Sequence, residues 1–137
     1  MLDRDTVTAL AEKAGGAVYI FEEDAFVQNY RMLIGAFCTL YPSYRLSYSY
    51  KTNYTPYICR IVKELGGYAE VVSDMEYELA RKLGYSSDKI VYNGPAKGAA
   101  LEEHVLSGGI CNLDNFTEAA RIRRIAELNP ERELKIG

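Results

Sequence analysis

The sequence predicts an α/β architecture of parallel βα repeats, and three observations carry the prediction. Short β-like runs recur at a nearly constant interval, helical patterns fill the gaps, and each gap opens on helix-starting residues and closes on a helix stop. The runs begin near Leu46, Tyr68, Lys89, Ile110 and Glu133, in steps of 22, 21, 21 and 23 residues. Strand and helix alternating at a fixed beat give βα units and a parallel sheet. Crossovers of this kind are right-handed, which leaves an open doubly wound sheet or a barrel. A TIM (β/α)8 barrel takes about 250 residues. Four βα units and a fifth strand, Glu133 to Gly137, would be the first half of one; as an open sheet, five strands could stand alone.

Residues 1–45 read as a helical lead-in with a short strand. Asp5 to Ala14 and Asp24 to Leu40 are helical, flanking a short apolar run from Ala17 to Phe21. In the longer helix Phe26, Tyr30, Leu33, Phe37 and Leu40 fall at helical spacing, the pattern of a core stripe.

Residues 46–137 hold the repeats. In the first strand Leu46, Tyr48 and Tyr50 take one face, and Ser47, Ser49 and Lys51 take the other. Small polar residues lined up behind a lysine suit an inner face kept open for a ligand, with an amine at the rim. Thr55-Pro56 opens the next helix with Pro at an early position, and Gly66-Gly67 stops it. Ser73-Asp74-Met75-Glu76 opens the second helix of the repeat as a capping box, ended by Gly84. Ala99 to Ser107 is the third, and Asn115-Phe116-Thr117-Glu118 starts the fourth, which Pro130 closes.

Bulk composition narrows the function. With 137 residues, 48% apolar and 26% charged, the chain has ordinary globular composition and length enough for a core. A net charge of -3 gives no electrostatic case for nucleic acid or an anionic membrane. Cys38, Cys59 and Cys111 are odd in number and far apart, which implies no disulfide framework and a reduced cytoplasmic setting. One histidine and no close cysteine pair imply no metal site. No signal peptide or membrane-spanning run is read. The glycine-rich nucleotide loops and the G-x-S-x-G elbow are missing. His104 reads as a surface helix residue, and Gly94-Pro95-Ala96-Lys97-Gly98 as a turn, with anion binding the alternative.

Polar residues gather at the carboxyl ends of the strands, the side on which barrels and open α/β sheets bind ligands. These are Lys51 and Asn53, Glu70 and Ser73, Asn93, and Asn112 and Asp114. Ser73, Asp114 and Asn115 have a second reading as helix caps, and Glu76 has one in its capping box. Lys51 and Glu70 have none, and both are expected inside apolar strands that a parallel fold buries. Ionised Lys and Glu are rarely buried unless paired or functional. A lysine in a dry site can act as an amine nucleophile and form a Schiff base.

Tyr48-Ser49-Tyr50-Lys51-Thr52-Asn53 resembles the pyridoxal phosphate lysine motif of fold-type III amino-acid decarboxylases, the diaminopimelate and ornithine decarboxylase family. The match continues in order. Gly67-Tyr68-Ala69-Glu70-Val71-Val72-Ser73 with Glu76 resembles the family's second strand and acidic pair. Lys89-Ile90-Val91-Tyr92-Asn93-Gly94-Pro95-Ala96-Lys97 resembles its third strand and Asn-Pro-Lys loop. Asn112-Leu113-Asp114-Asn115 resembles the fourth, and Val18-Tyr19-Ile20-Phe21-Glu22-Glu23-Asp24 the opening segment.

The resemblance implies a TIM barrel of the alanine racemase-like type, with pyridoxal 5'-phosphate held on Lys51 as a Schiff base. It implies Glu70 and Glu76 as further cofactor-binding residues and decarboxylation of an amino-acid substrate. Glu70 stands where the family usually has aspartate, which puts its contact distance in question. It also implies a cytoplasmic homodimer with no membrane or nucleic-acid partner. The family's phosphate loop, stacking histidine, fifth-strand arginine and C-terminal β domain are expected beyond Gly137. The 137 residues alone are therefore expected to be inactive and to self-associate through open sheet edges. Rival readings are a pyridoxal phosphate-dependent racemase, a non-catalytic regulatory relative that binds a partner, and an open five-stranded ligand-binding domain. Diaminopimelate, ornithine, arginine and carrier-tethered amino acids all stay open as substrates.

Overall fold

Five short strands pair in strict chain order into a wholly parallel sheet: β1 (Ser47–Ser49), β2 (Tyr68–Val71), β3 (Ile90–Tyr92), β4 (Ile110–Cys111) and β5 (Lys135–Ile136). The structure, a computed structural model, describes residues 2–137. It forms two compact units, Met1–Tyr44 and Arg45–Gly137, and the sheet belongs to the second. Strict order decides between the two architectures left open by the sequence. A doubly wound sheet reverses its strand order at a switch point, whereas a barrel adds each strand beside the last. Order β1-β2-β3-β4-β5 is that of successive barrel staves.

Between the strands run α3 (Pro56–Glu64), α4 (Asp74–Lys82), α5 (Ala100–Leu106) and α6 (Phe116–Leu128), with one 3₁₀ turn, Ser87–Lys89, before β3. Local chemistry sets their limits. Pro56 starts α3, where its missing N–H costs nothing. Ser73 and Asn115 cap α4 and α6, each accepting a backbone N–H from three residues on, Glu76 and Glu118. Gly66, at φ +85, takes the left-handed turn that stops α3 before β2.

The two faces of the sheet differ sharply. Tyr50, Ala69, Val71, Ile90, Tyr92 and Cys111 are fully buried on the helix side. There Tyr50, Cys59, Tyr77, Ala80, Tyr85 and Tyr92 build one core cluster, and Leu101, Val105, Cys111, Ile122 and Ile125 a second. The alternate residues form the other face, aligned by the register Ser49, Glu70, Val91, Ile110 and Lys135. On that face Glu70, Val91 and Ile110 are only half-buried and Lys135 is exposed.

In the first unit α1 (Arg4–Ala14) and α2 (Glu23–Cys38) form as expected, with Asp3 capping α1 at Thr6 N–H, 2.8 Å. Two expectations are corrected. Ala17–Phe21 is not a strand: it has no ladder partner among the described residues, and Tyr19 is fully exposed. The α2 stripe is not a closed core either. Tyr30 is buried, but Leu33, Phe37 and Leu40 are exposed, because helical spacing creates an apolar face without supplying anything to cover it. Phe37 stacks instead on Tyr44 at 4.5 Å.

Candidate active site

Lys51 stands one residue beyond Tyr50 at the carboxyl end of β1, in a tight turn. The Thr52 N–H and hydroxyl both donate to the Ser49 carbonyl, at 3.3 and 2.8 Å, and close the turn around Tyr50 and Lys51. Tyr50 is wholly buried on the helix side, and its N–H donates to Glu70 O at 2.9 Å. That anchor leaves Lys51 projecting at the rim. The expectation of a lysine inside a buried strand is corrected: Lys51 is exposed, because the ladder ends at Tyr50 and the chain enters a turn there.

Glu70 lies on the open face of β2 opposite Ser49, and its Oε1 accepts from Asn93 Nδ2 at 3.3 Å. Asn93 follows β3, where its N–H extends the ladder to Val71 O, 2.8 Å. Asn112 does the same after β4, to Tyr92 O at 3.0 Å. Alternation therefore brings Ser49, Glu70, Asn93 and Asn112 to one side of the sheet, at its carboxyl end, and Lys51 follows Ser49 by one turn at that same end.

Glu76 sits elsewhere. It is buried in the first turn of α4, where its Oε2 accepts the Val72 N–H at 2.7 Å. That bond fixes the chain as it leaves β2. The cap readings of Ser73 and Asn115 are what the hydrogen bonds show, at 3.3 and 2.9 Å.

Behind the rim a polar strap, unread in the sequence, ties three loops together. Asp74 takes the Tyr92 hydroxyl at 2.6 Å and the Ala99 N–H at 2.8 Å. Burial works to raise the Asp74 carboxyl, but these donors outweigh it and hold it below its usual range. Burial, with Asp74 adding to it, pushes the Tyr92 phenol well above its ordinary value. Lys97 turns inward, giving 2.6 Å to Gly94 O and 2.8 Å to Glu118 Oε2, with its side chain wholly out of water. The loop thus offers no cation to an anion; the turn reading holds. Glu118 also accepts the Asp114 N–H at 3.0 Å, and Arg121 donates to Gly98 O at 2.9 Å. Gly94 is needed here twice over: φ is +82, and a Cβ would press on the Val72 Cβ at 3.0 Å.

His104 is corrected from a surface position to a fully buried one. It shares the inward face of α5 with Leu101 and Val105, meets Tyr77 and Tyr92 edge-on at 5.3 and 5.7 Å, and bonds Ile110 O through Nε2 at 2.9 Å. Burial lowers its pKa below the ordinary value.

Comparison with known proteins places this geometry. Residues 29–136 match the family model described as pyridoxal-dependent decarboxylase, pyridoxal binding domain. The chain belongs to this family. It is 30% identical over 118 residues to a diaminopimelate decarboxylase of Methanothermobacter thermautotrophicus, covering 85% of this chain and 28% of that protein. It is also 30% identical over 128 residues to an L-glutamyl-[BtrI acyl-carrier protein] decarboxylase of Niallia circulans, covering 92% and 29%. Among solved structures, the diaminopimelate decarboxylase of Methanocaldococcus jannaschii superposes with TM-score 0.77 at 29% identity, covering 94% of this chain and 31% of that one. A lysine decarboxylase from Selenomonas ruminantium shares the fold, with TM-score 0.71 at 22% identity, over 99% of this chain and 36% of that one. The chain thus spans under a third of the length of the curated relatives it matches.

Proposed function

We propose that this chain supplies the lysine-bearing part of a pyridoxal phosphate-dependent carboxy-lyase that acts on an amino acid, with Lys51 as the covalent attachment point. The carrying observation is the open face at the carboxyl end of the sheet. It presents a free primary amine at Lys51, a carboxylate at Glu70 steadied by Asn93, and the Ser49 hydroxyl, shielded yet without a hydrogen-bond partner among the described residues. Amine, carboxylate and an unsatisfied polar atom gathered at the carboxyl end of β1 and β2 fit an aldehyde-bearing aromatic cofactor. When bound, pyridoxal phosphate supplies the electron sink that stabilises the carbanion left by loss of a carboxylate.

The chain's own residues then have separable tasks. Lys51 offers the amine that would hold the cofactor. Glu70 keeps a negative charge on the open face, and Asn93 fixes its direction. Glu76 acts on the same site from beneath, by setting the path of Val72 and Ser73 as the chain leaves β2. The substrate class favoured is a diamino acid of the diaminopimelate kind, supported by the curated relatives. A carrier-tethered amino acid is the second reading, favoured by the Niallia circulans relative. We further infer a cytoplasmic setting and pairing of subunits as a homodimer; the odd, unpaired cysteines support the first and the resemblance to the decarboxylase family the second. Spanning under a third of these relatives, the 137 residues alone are expected to take up cofactor without turning over substrate.

The test is chemical. Pyridoxal phosphate is added to the purified chain, the new absorbance band is recorded, borohydride is added, and the modified lysine is located by peptide mapping. Label confined to Lys51 and lost in Lys51→Ala supports the reading. Label spread over surface lysines sinks it.

A further inference from the structure

Four buried side-chain atoms lack a hydrogen-bond partner among the described residues: Ser49 Oγ, Tyr50 Oη, Tyr77 Oη and His104 Nδ1. Three of them belong to residues of the helix-side core or packed into it, where Tyr50, Tyr77 and His104 are at most 3% exposed. Ser49 alone lies on the other side of the sheet. Its neighbours Tyr48 and Tyr50 pack into the core cluster, so alternation turns Ser49 to the open face. A shielded hydroxyl without a partner costs free energy, and folded proteins keep such atoms chiefly where something else completes them. The surroundings name that something. Ser49 is two residues from Lys51, whose turn closes on the Ser49 carbonyl, and it sits opposite Glu70 in the ladder. The residue is only half-buried although its oxygen is shielded.

We propose that Ser49 is a ligand-binding residue, whose hydroxyl hydrogen-bonds the aromatic cofactor held at Lys51. The inference rests on the pyridoxal-binding reading above and adds a contact that neither the motif nor the relatives assign. Glu70 supplies the site's charge, and as an ionised carboxylate it can only accept; Ser49 supplies a neutral group able to donate.

Pyridoxine 5'-phosphate, which carries an alcohol where pyridoxal phosphate carries its aldehyde, cannot condense with a lysine and reports the non-covalent contact alone. Wild type and Ser49→Ala are titrated with it, and the melting temperature of each ligand-free protein is measured. The expected result is an affinity about 3- to 10-fold weaker in Ser49→Ala, the worth of one hydrogen bond. The ligand-free melting temperature is expected to stay level or rise, because an unsatisfied polar atom has been removed. Equal affinity in both proteins overturns the proposal, as does failure of the wild type to bind. Weaker binding together with a lowered melting temperature also overturns it, since a purely structural serine behaves that way. Borohydride capture of pyridoxal phosphate is run alongside. No capture at Lys51 while pyridoxine phosphate binding still depends on Ser49 refutes the Lys51 reading and leaves Ser49 standing. Capture at Lys51 with no Ser49 effect does the reverse.

Discussion

The ammonium of Lys97 lies 2.8 Å from the carboxylate of Glu118, joining the loop after β3 to the first turn of α6 with both groups out of water. Desolvating two charges is costly, so the pair earns its place only while both members and their further hydrogen bonds are present. Both conditions hold, through Gly94 O on one side and the Asp114 N–H on the other. Lys97→Met is expected to destabilise the chain by about 3–5 kcal/mol, because it leaves a buried carboxylate without its cation. Lys97→Met with Glu118→Gln should recover more than half of that loss, since glutamine keeps an oxygen for Asp114 and carries no charge. Urea unfolding of the three proteins checks this; a double variant no better than the single would show that packing, not charge, is what Lys97 supplies.

His104 predicts a pH dependence of stability. Burial lowers its pKa in the folded state below the ordinary 6.5, so the unfolded chain binds the proton more readily. Stability contributed by neutral His104 is then fully present above about pH 6.5 and is lost as pH falls from there toward the folded-state value. The slope approaches about 1.4 kcal/mol per pH unit within that window. His104→Gln, which retains an N–H for Ile110 O, should flatten the curve between pH 6.5 and 5. Chemical denaturation at half-unit pH steps would measure it, and an unchanged slope in the variant would assign the effect to another group.

Tyr92 and Asp74 make a second acid-sensitive contact. The 2.6 Å bond from a buried phenol to a carboxylate is of the stronger, charge-assisted kind. Tyr92→Phe is expected to cost about 1.5–3 kcal/mol at neutral pH. The carboxyl of Asp74 is held low in the folded state, so its contribution is present above the ordinary 3.8 and is lost as pH falls below it. Removing the phenol should therefore raise the Asp74 pKa and shrink the gap between wild type and variant below pH 4. A gap that stays constant from pH 7 to pH 3 would contradict this.

How much of the fold could be read from the chain depends on how far each signal reaches. Pro56, Gly66, Ser73 and Asn115 act within a turn of themselves, so the βα beat and the helix starts were legible in sequence. So was the division of β1 into core-facing Tyr48 and Tyr50 and the opposite-facing Ser49, because alternation is a local rule. Lys97 was not: its partner Glu118 is a whole βα unit away, and nothing local says which way the lysine turns. His104 misled for a related reason. Two glutamates precede it, and their solvated face masked the inward stripe of Leu101, His104 and Val105. Lys51 reads as the last residue of a buried strand, but the chain leaves the strand after Ser49 and the lysine is exposed in the turn that follows. Ala17–Phe21 has strand-like residues but joins no β-ladder among the described residues, and pairing, not composition, makes a strand.

Glu76 and Glu118 stand at the same position of helices two βα units apart, and each accepts the N–H of the residue just before the cap, Val72 and Asp114. Only Glu118 also holds a lysine, among the described residues. That contrast separates two tasks for Glu76. If its work is to hold the turn after β2, an oxygen suffices and the charge is dispensable. Glu76→Gln should then leave stability within about 0.5 kcal/mol, and pyridoxal phosphate capture at Lys51 unchanged, whereas Glu76→Ala costs about 1–2 kcal/mol by stranding the Val72 N–H. A direct contact to the cofactor predicts the other outcome, with Glu76→Gln stable but several-fold weaker in capture. Melting curves and borohydride trapping on the same three proteins read both quantities. The positional equivalence to Glu118 favours the first result.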